Sequence, residues 1–529
     1  MINKIKGALL YDGSGAEPIL ADLELKDGHI AGITQGSKEV AGEEVLDASG
    51  LVVTPGFIDI HRHHDVAALY DPTFGQLELA QGITTAVAGN CGLSPFPNAP
   101  TSRAEQFAYI EPCLGKMPEG AVPELFSDYM ATLAARPLPL SVGALVGTGA
   151  CATAAMGYER RGFTSAEREK AVWYVQNAME SGALGLSFGI MYTPECYLSR
   201  EDQVAMAKVV GQYGGMVSCH IRGEGNSLVE SVEEIIGICE EAEVPLNISH
   251  FKVTGVRNWG RSIEKAIEKI EAARVRGQQV AVDAYPYTGG ATTILSLIPP
   301  CVTEGKDLSY LGTPEGVQAL KDAIFKEYSG WDNMVNSIGW ERIIIGSVTK
   351  EHNRVYCGKN IARIAQELGL DDPCDWVAPF VAEEEGKVGC VIMSMSQEDV
   401  DRVLSLPYAA VISDSLYGGG DNPHPRLYGS FPKVIREYVM ERGVMTLQQA
   451  IRKMTAMPAE RVGLKERGYL RPGYVADLNI FDPHEIRDKA TFENSKQLAG
   501  GIRYTLIGGQ IAAENGKMAD GLYGKLVRR

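Results

Sequence analysis

The stretch GMVSCHIRGEGNSLVESVEEIIGICEEAEVPLNISHF (residues 215–251) holds one complete structural unit. Two short apolar runs, GMVSCHI (215–221) and PLNISHF (245–251), flank SLVESVEEIIGICEEAE (227–243). The flanking runs have the continuous apolar character of strands buried on both faces, and the middle segment repeats its apolar residues at a helical period. The unit therefore reads as strand, helix, parallel strand. Six more runs of the strand type occur in the chain: GFIDIH (56–61), TTAVAGN (84–90), LSVGALVG (140–147), GALGLSFG (182–189), QVAVDAYPY (279–287) and AAVISDS (409–415). A second amphipathic segment, SIEKAIEKIEAARVRG (262–277), separates the sixth run from the seventh. Eight buried strands alternating with helices predict an α/β fold, a (β/α)8 TIM-like barrel. The gap at 288–408 is far longer than one crossover needs and reads as an insertion between strands 7 and 8, a lid with helices of its own.

Outside this region the pattern changes. IKGALLYDGSG, ADLELKDGHIAGI and EEVLDASGLVVTPG near the start alternate apolar and polar residues between Gly/Asp turns, as do GYLRPGYVADLNIFDP and IRYTLIGGQIAAENGK near the end. This is antiparallel β sequence. It predicts a small β-sandwich domain built from both termini, residues 1–54 plus 466–529, with the catalytic barrel at 55–465. The 529 residues, 45% hydrophobic and 22% charged, supply ample core material. A net charge of −17 argues against nucleic-acid and anionic-membrane partners, which need basic surfaces. Ten cysteines contain no CxxC pair, so neither a zinc ribbon nor a disulfide framework is indicated. The N-terminal residues carry no signal-peptide core and no membrane-length run, and the expected location is cytoplasmic.

In such a barrel the chemistry sits at the C-terminal ends of the strands. The first strand ends in HRHHD, where His61 and His63 are two apart and share a face. The second ends in GNCG, with Cys91 between glycines. The fifth, sixth and eighth end in His220, His250 and Asp414. Singly each has a plain structural alternative: a polar core pair, an inert buried thiol, a helix cap. Converging on one barrel mouth they form a metal constellation, since imidazole, thiolate and carboxylate are the ligands zinc prefers. A bound divalent ion brings a water's pKa near neutrality, and Asp414 could take that water's proton as general base. His64 faces the other way and reads as structural, as do His29, His352 and His484.

These residues and the segments around them resemble the D-aminoacylases, the N-acyl-D-amino-acid deacylases of the metal-dependent amidohydrolase superfamily. The resemblance rests on PGFIDIHRHHD (55–65), GNCGLSP (89–95), GALGLSFGIMYTP (182–194), CHIRGEG (219–225), ISHFKVTG (248–255), DAYPYTGGATTIL (283–295) and HPRLYGSFPKV (424–434), and it spans nearly the whole chain. It implies that Cys91, His220 and His250 hold one tight Zn²⁺. His61, His63 and Asp414 would then frame a second, weaker or vacant position. Many amidohydrolases bridge two metals through a carboxylated lysine on the fourth strand, but GALGLSFG has none. The implied reaction is hydrolysis of an N-acyl-D-amino acid, a small molecule, to a carboxylate and a free D-amino acid, with Asp414 as general acid and base. The substrate's α-carboxylate needs cationic and hydroxyl donors, and the resemblance offers Lys252, Arg426 and Tyr192, with Tyr285 or Tyr287 of AYPY contributing. Arg222 and Glu224 are expected to pair in support of His220. The family's first motif usually reads HTHDD or similar, so Arg62 and His64 are unusual neighbours. TGGATTILSL (288–297), a candidate pocket wall without Arg or Lys, favours apolar side chains over D-glutamate or D-aspartate. Two other functions remain open. One is a cyclic-amide hydrolase of the dihydroorotase or hydantoinase kind, which the missing lysine and Cys91 oppose. The other is a non-catalytic homologue, which six intact ligand positions oppose. The oligomeric state is not legible.

Overall fold

The computed structural model describes residues 2–36, 44–120, 122–303, 305–328, 331–418, 420 and 422–529. Each of the eight apolar runs contains a parallel strand. In chain order these are Phe57–Asp59, Ile83–Ala88, Ser141–Ala144 continuing as Val146–Gly147, Gly185–Gly189, Met216–His220, Leu246–Ile248, Val280–Ala284 and Ala409–Val411. Every residue of these strands is buried, which is why they read as continuous apolar runs rather than alternating ones. The first three pair in one parallel sheet. Val146–Gly147 opens a second parallel sheet that runs through the fourth to the eighth strand. Beyond the strand ends, Ser415–Leu416 pairs in parallel with Arg62–His63, joining the ends of the eighth and first runs.

The crossover helices follow their apolar period. The helix Leu228–Glu241 buries Leu228, Val232, Ile235, Ile236 and Cys239. The helix Ser262–Val275 buries Ile263, Ala266, Ile267, Ile270 and Ala273 at offsets of 3, 4, 7 and 10 residues, one stripe facing the sheet.

Between the seventh and eighth strands the chain builds a separate antiparallel sheet. Its strand Gly389–Ile392 pairs with both Gly290–Thr293 and Ile343–Ser347. Ile294, Leu311, Trp340, Val377 and Phe380 form an apolar cluster of their own there.

The two ends of the chain meet in one nine-stranded sheet. The junction is the antiparallel pairing of Leu478–Phe481 with Val52–Pro55. Ile5, Leu23, Val53, Leu478, Ile480 and Leu506 pack against it. The β-rich ends therefore share a single hydrogen-bonded ladder.

Candidate metal centre

Six sequence-predicted ligands come together at the C-terminal ends of the parallel strands, and three depart from ordinary backbone geometry. Cys91, His250 and Asp414 have φ of +56°, +35° and +50°, the left-handed region that side-chain-bearing residues rarely adopt. Holding such a conformation costs on the order of 1–3 kcal/mol each and persists only where surrounding contacts over-determine it.

At Cys91 those contacts are visible. Gly89 and Gly92 are also left-handed, at +76° and +69°. A Cβ on Gly89 would overlap the Leu145 carbonyl, and one on Gly92 would strike the Glu195 carboxylate and lie 2.8 Å from the Gly189 nitrogen. The fourth strand, lacking a lysine, contributes Ser187. Its hydroxyl donates to the Gly89 carbonyl at 2.5 Å and accepts from the Gly92 N–H at 3.0 Å. The turn carrying Cys91 is thus clamped on both sides, and the GNCG spacing leaves side-chain room only at its Asn and Cys.

The thiol points into a nest of imidazoles. Cys91 Sγ lies 3.2 Å from His61 Nε2 and 3.4 Å from His250 Nε2. Cys91, His220 and His250 bring one donor atom each within 4.8 Å of one another, and so do Cys91, His61 and His63. Asp414 Oδ1 lies 3.5 Å from His61 Nε2 and 3.4 Å from His63 Nε2. All six residues are buried. Burial, reinforced by Asp414, pushes the Cys91 thiol well above the usual cysteine range. Burial likewise pulls His220 well down and His63 to about 4. For His61 burial acts downward, but Asp283 and Asp414 outweigh it and raise the imidazole. A buried thiol against two imidazole nitrogens can give its proton to only one of them, whereas as a thiolate it can share one cation with imidazoles. One sulfur and two nitrogens within 4.8 Å are the donor set of an open zinc site.

Behind the donors stands a ring of carboxylates. Glu224 Oε1 is 3.0 Å from His250 Nδ1 and accepts from Lys252 Nζ at 2.6 Å. Burial opposes ionisation of Glu224, but Lys252, His220 and His250 hold its carboxyl far below the usual range. Asp283 accepts the His250 N–H at 2.5 Å and an Asn247 amide hydrogen at 2.6 Å, and lies 3.6 Å from His61 Nδ1. Carboxylates in this position orient ligand imidazoles and raise their basicity. The expected Arg222–Glu224 pair does not form. Arg222 bonds Glu234 and the Cys196 carbonyl, and Glu224 serves His250 instead. Neither Asp283 nor Asp59 was singled out in the sequence. Their signal was a carboxylate inside an apolar strand, VAVDA and GFIDIH, which burial obliges to find a partner.

The unusual Arg62 is fully buried and donates to Asp59 at 3.2 Å, Ser413 at 3.0 Å, Glu78 at 2.5 Å and Tyr417 at 2.8 Å. It ties the first strand to the eighth just below the donors. His64 stacks on Phe74 with ring centroids 5.3 Å apart, away from the cluster. His29, His352 and His484 are exposed.

Four of the five substrate-binding candidates border the cluster. Arg426 Nη1 pairs with Asp414 Oδ2 at 2.7 Å, and its guanidinium lies 4.7 Å from the Tyr285 ring centroid. Burial acts upward on Asp414, yet Arg426, His61 and His63 hold it well below the usual carboxylate range. Lys252 lies 6.0 Å from the same ring. The Tyr285 hydroxyl is buried without a partner among the described residues. The Tyr192 hydroxyl is 3.5 Å from His220 Nδ1. Tyr287 faces elsewhere: its hydroxyl meets the Pro425 carbonyl at 3.5 Å and its ring packs on His424 and Phe492.

A model described as "Amidohydrolase family" matches residues 44–288 and 359–513. The D-aminoacylase of Alcaligenes xylosoxydans xylosoxydans is 34% identical over 507 residues, covering 96% of this chain and 93% of its own length. A crystal structure of D-aminoacylase has a TM-score of 0.84 at 31% identity over 100% of both chains. The N-acyl-D-glutamate deacylase of Bordetella bronchiseptica, solved with zinc and a phosphonate mimic of the reaction's tetrahedral intermediate, has a TM-score of 0.82 at 31% identity over 99% of both chains. With matches running end to end, the chain belongs to the amidohydrolase family, in its D-aminoacylase and N-acyl-D-amino-acid deacylase branch.

Proposed function

We propose that this protein hydrolyses N-acyl-D-amino acids to a carboxylate and a free D-amino acid, with zinc held by Cys91, His220 and His250. The observation that carries the reading is the placement of the Asp414–Arg426 pair, 2.7 Å long, against His61, the imidazole that also faces Cys91. A proton carrier and a carboxylate binder are thereby set beside one metal-ligand set. His61, His63 and Asp414 frame a second position. Zinc, when bound, polarises a carbonyl and makes a water nucleophilic near neutral pH.

The chain's own groups do the rest. Arg426, Lys252, Tyr285 and Tyr192 surround the substrate and receive its α-carboxylate, which fixes the enantiomer. That carboxylate draws Arg426 away from Asp414 Oδ2. Asp414, relieved of its strongest counter-charge, becomes a stronger base and takes a water proton at Oδ1. It then returns the proton to the leaving amine. Tyr287 supports the wall through His424 and Phe492. Around Cys91 the lining joins Leu93, Tyr109, Ile110, Tyr158 and Tyr192 to neutral polar side chains and the Glu195 carboxylate, without a cation, and both cations at the centre already carry carboxylate partners. This favours an apolar or neutral D-side chain.

The same reading takes the eight parallel strands as a closed (β/α)8 barrel at 55–465, supported by the pairing of Ser415–Leu416 with Arg62–His63. Residues 288–408 are its insertion, and residues 1–54 plus 466–529 form the companion sandwich. The family model is interrupted between 288 and 359, within that insertion.

The test is release of free amino acid from matched N-acetyl-D- and N-acetyl-L-amino acids by protein of measured zinc content. Turnover confined to the D series is expected, with methionine- or leucine-like members ahead of aspartate and glutamate. Turnover of L substrates or of cyclic imides by the zinc-loaded protein, with none of the D series, would overturn the proposal.

A further inference from the structure

A second cavity lies at the end of the parallel strands opposite the metal centre. It has a volume of about 640 Å³ and is bordered by the N-terminal ends of the fifth to eighth parallel strands: Gly215–Met216, Pro245–Leu246, Gln279–Ala281 and Pro407–Tyr408. The ligand cluster occupies the opposite ends of those strands. Four arginines, Arg274, Arg452, Arg461 and Arg529, converge on this cavity, against one carboxylate side chain, Glu460. In a chain of net charge −17, such a concentration of positive charge is out of character with the whole.

The partners of these arginines show how little of that charge is neutralised. Arg452 pairs with Glu460 at 3.1 Å. No carboxylate side chain among the described residues lies within ion-pair distance of Arg274, Arg461 or Arg529. Arg274 donates to the Val280 carbonyl and lies 4.3 Å from the Tyr408 ring centroid. Arg529 donates to the Tyr213 carbonyl at 2.9 Å, and its guanidinium lies between Gly214 and Gly463, where a Cβ on either would come within 3.0 Å. Arg461, the innermost, has one hydrogen bond, a 3.4 Å contact with the neutral Asn247 amide oxygen. Burial lowers Arg461 to about 10; Asp283 and Glu460 pull against it, and Arg274 pushes the same way as burial. Arg274, Arg452 and Arg461 lie in the last turns of the helices Ser262–Val275, Leu447–Met454 and Ala456–Val462, where a basic side chain complements the carbonyl end. That role accounts for three of the four side chains. It does not account for their convergence with Arg529 on one solvent-open cavity.

We infer that this cavity is a binding site for a small oxyanion-bearing ligand, a phosphate, sulfate or carboxylate group held by Arg274, Arg461 and Arg529 with Arg452 at its edge. Guanidinium forks match such planar and tetrahedral oxyanions through paired N–H donors, and the volume is that of a small-molecule pocket. At about 640 Å³ the cavity leaves room for the remainder of a ligand larger than the anion.

The experiment is calorimetric titration of the zinc-loaded protein with inorganic phosphate and with sulfate, at constant ionic strength set by chloride. Saturable uptake is expected, weakened at least tenfold by Arg461→Gln and by Arg274→Gln, with zinc content and deacylase turnover unchanged in Arg274→Gln. Arg274 is solvent-exposed, so its variant keeps the test valid if Arg461→Gln fails to fold. Absence of saturable uptake overturns the inference. Uptake of undiminished affinity in the arginine variants overturns it as well, because it places the anion elsewhere, at the zinc centre included.

Discussion

Replacing Gly92 by alanine tests whether the strained cysteine turn builds the metal centre. Gly92 sits at φ +69°, and its added Cβ would lie 2.8 Å from the Gly189 nitrogen and against the Glu195 carboxylate. The backbone conformation alone costs an L-residue about 1–2 kcal/mol. Forcing a methyl into a packed wall adds about 1–3 kcal/mol, so the whole change amounts to roughly 2–5 kcal/mol. Gly92 cannot retreat without moving Cys91, because its N–H is held by Ser187 at 3.0 Å. Ligand distances tolerate only about 0.2 Å, and displacing a group that orients a ligand costs about 10–100-fold in metal affinity. The assay is competitive zinc titration against a chelator of known affinity, with urea unfolding of the same preparation. Gly277→Ala supplies the control: φ is +96° there, but nothing stands within 4 Å of the new Cβ, so only the backbone cost remains. The expected pattern is weakened zinc binding in Gly92→Ala and unchanged zinc binding in Gly277→Ala. Native zinc affinity in a folded Gly92→Ala protein would refute the idea that this turn positions the thiolate.

Other substitutions address single roles. Asp414→Asn keeps zinc content and lowers kcat/KM by about 10²–10⁴-fold, read by amino-acid release; an active variant removes Asp414 from proton transfer. Glu224→Gln weakens zinc binding about tenfold or more, whereas Arg222→Gln, whose carboxylate partner is Glu234, leaves it unchanged; equal effects would contradict the assignment of Glu224 to His250. Arg62→Met strands Asp59 and Glu78 as buried carboxylates and costs about 3–5 kcal/mol in urea unfolding, while a loss under 1 kcal/mol would show that they are neutral in the native protein. Glu195 is raised by burial to about 8, against the opposing pull of Thr148 and the Gly189 N–H. Its folded form keeps a proton that the unfolded form releases near 4.5, so the native protein loses roughly 1.4 kcal/mol per pH unit between those values relative to Glu195→Gln. Parallel stability curves for the two proteins from pH 5 to pH 8 would show that Glu195 is ionised throughout.

Elements whose burial is set locally were legible in the chain. Strands covered on both faces have no solvent side to mark, so VAVDA and ITTAVA stand out as unbroken runs. The helix Ser262–Val275 declares its single apolar stripe by period. Features set by distant partners were not legible. The alternation of both ends placed them in one domain, but the pairing of Val52–Pro55 with Leu478–Phe481 more than 400 residues away, which makes them a single ladder, has no local signal. Arg222 stands two residues from Glu224, which made them look like a pair, but its carboxylate comes from the following helix at Glu234. Tyr285 and Tyr287 are two apart and would share a face on a strand. The strand stops at Ala284, the parity rule lapses there, and only Tyr285 turns toward Arg426.

The left-handed residues connect these two kinds of information. Among the described residues only eight non-glycine positions have positive φ, and Cys91, His250 and Asp414 are three of them. Local rules fail where the surroundings hold a strained backbone for a purpose, and each of the three is held differently. Ser187 clamps the turn of Cys91, Asp283 takes the backbone N–H of His250, and the His61 carbonyl takes that of Asp414. Each clamp comes from a parallel strand or its end, so the sheet rather than the loops fixes where sulfur, imidazole and carboxylate point. A donor set fixed in this way should lose little order when its metal is removed. Chelation is therefore expected to abolish turnover while shifting near-ultraviolet circular dichroism only slightly, and zinc should restore activity without a slow refolding phase. Collapse of the near-ultraviolet signal on chelation would show instead that the metal organises the strand ends.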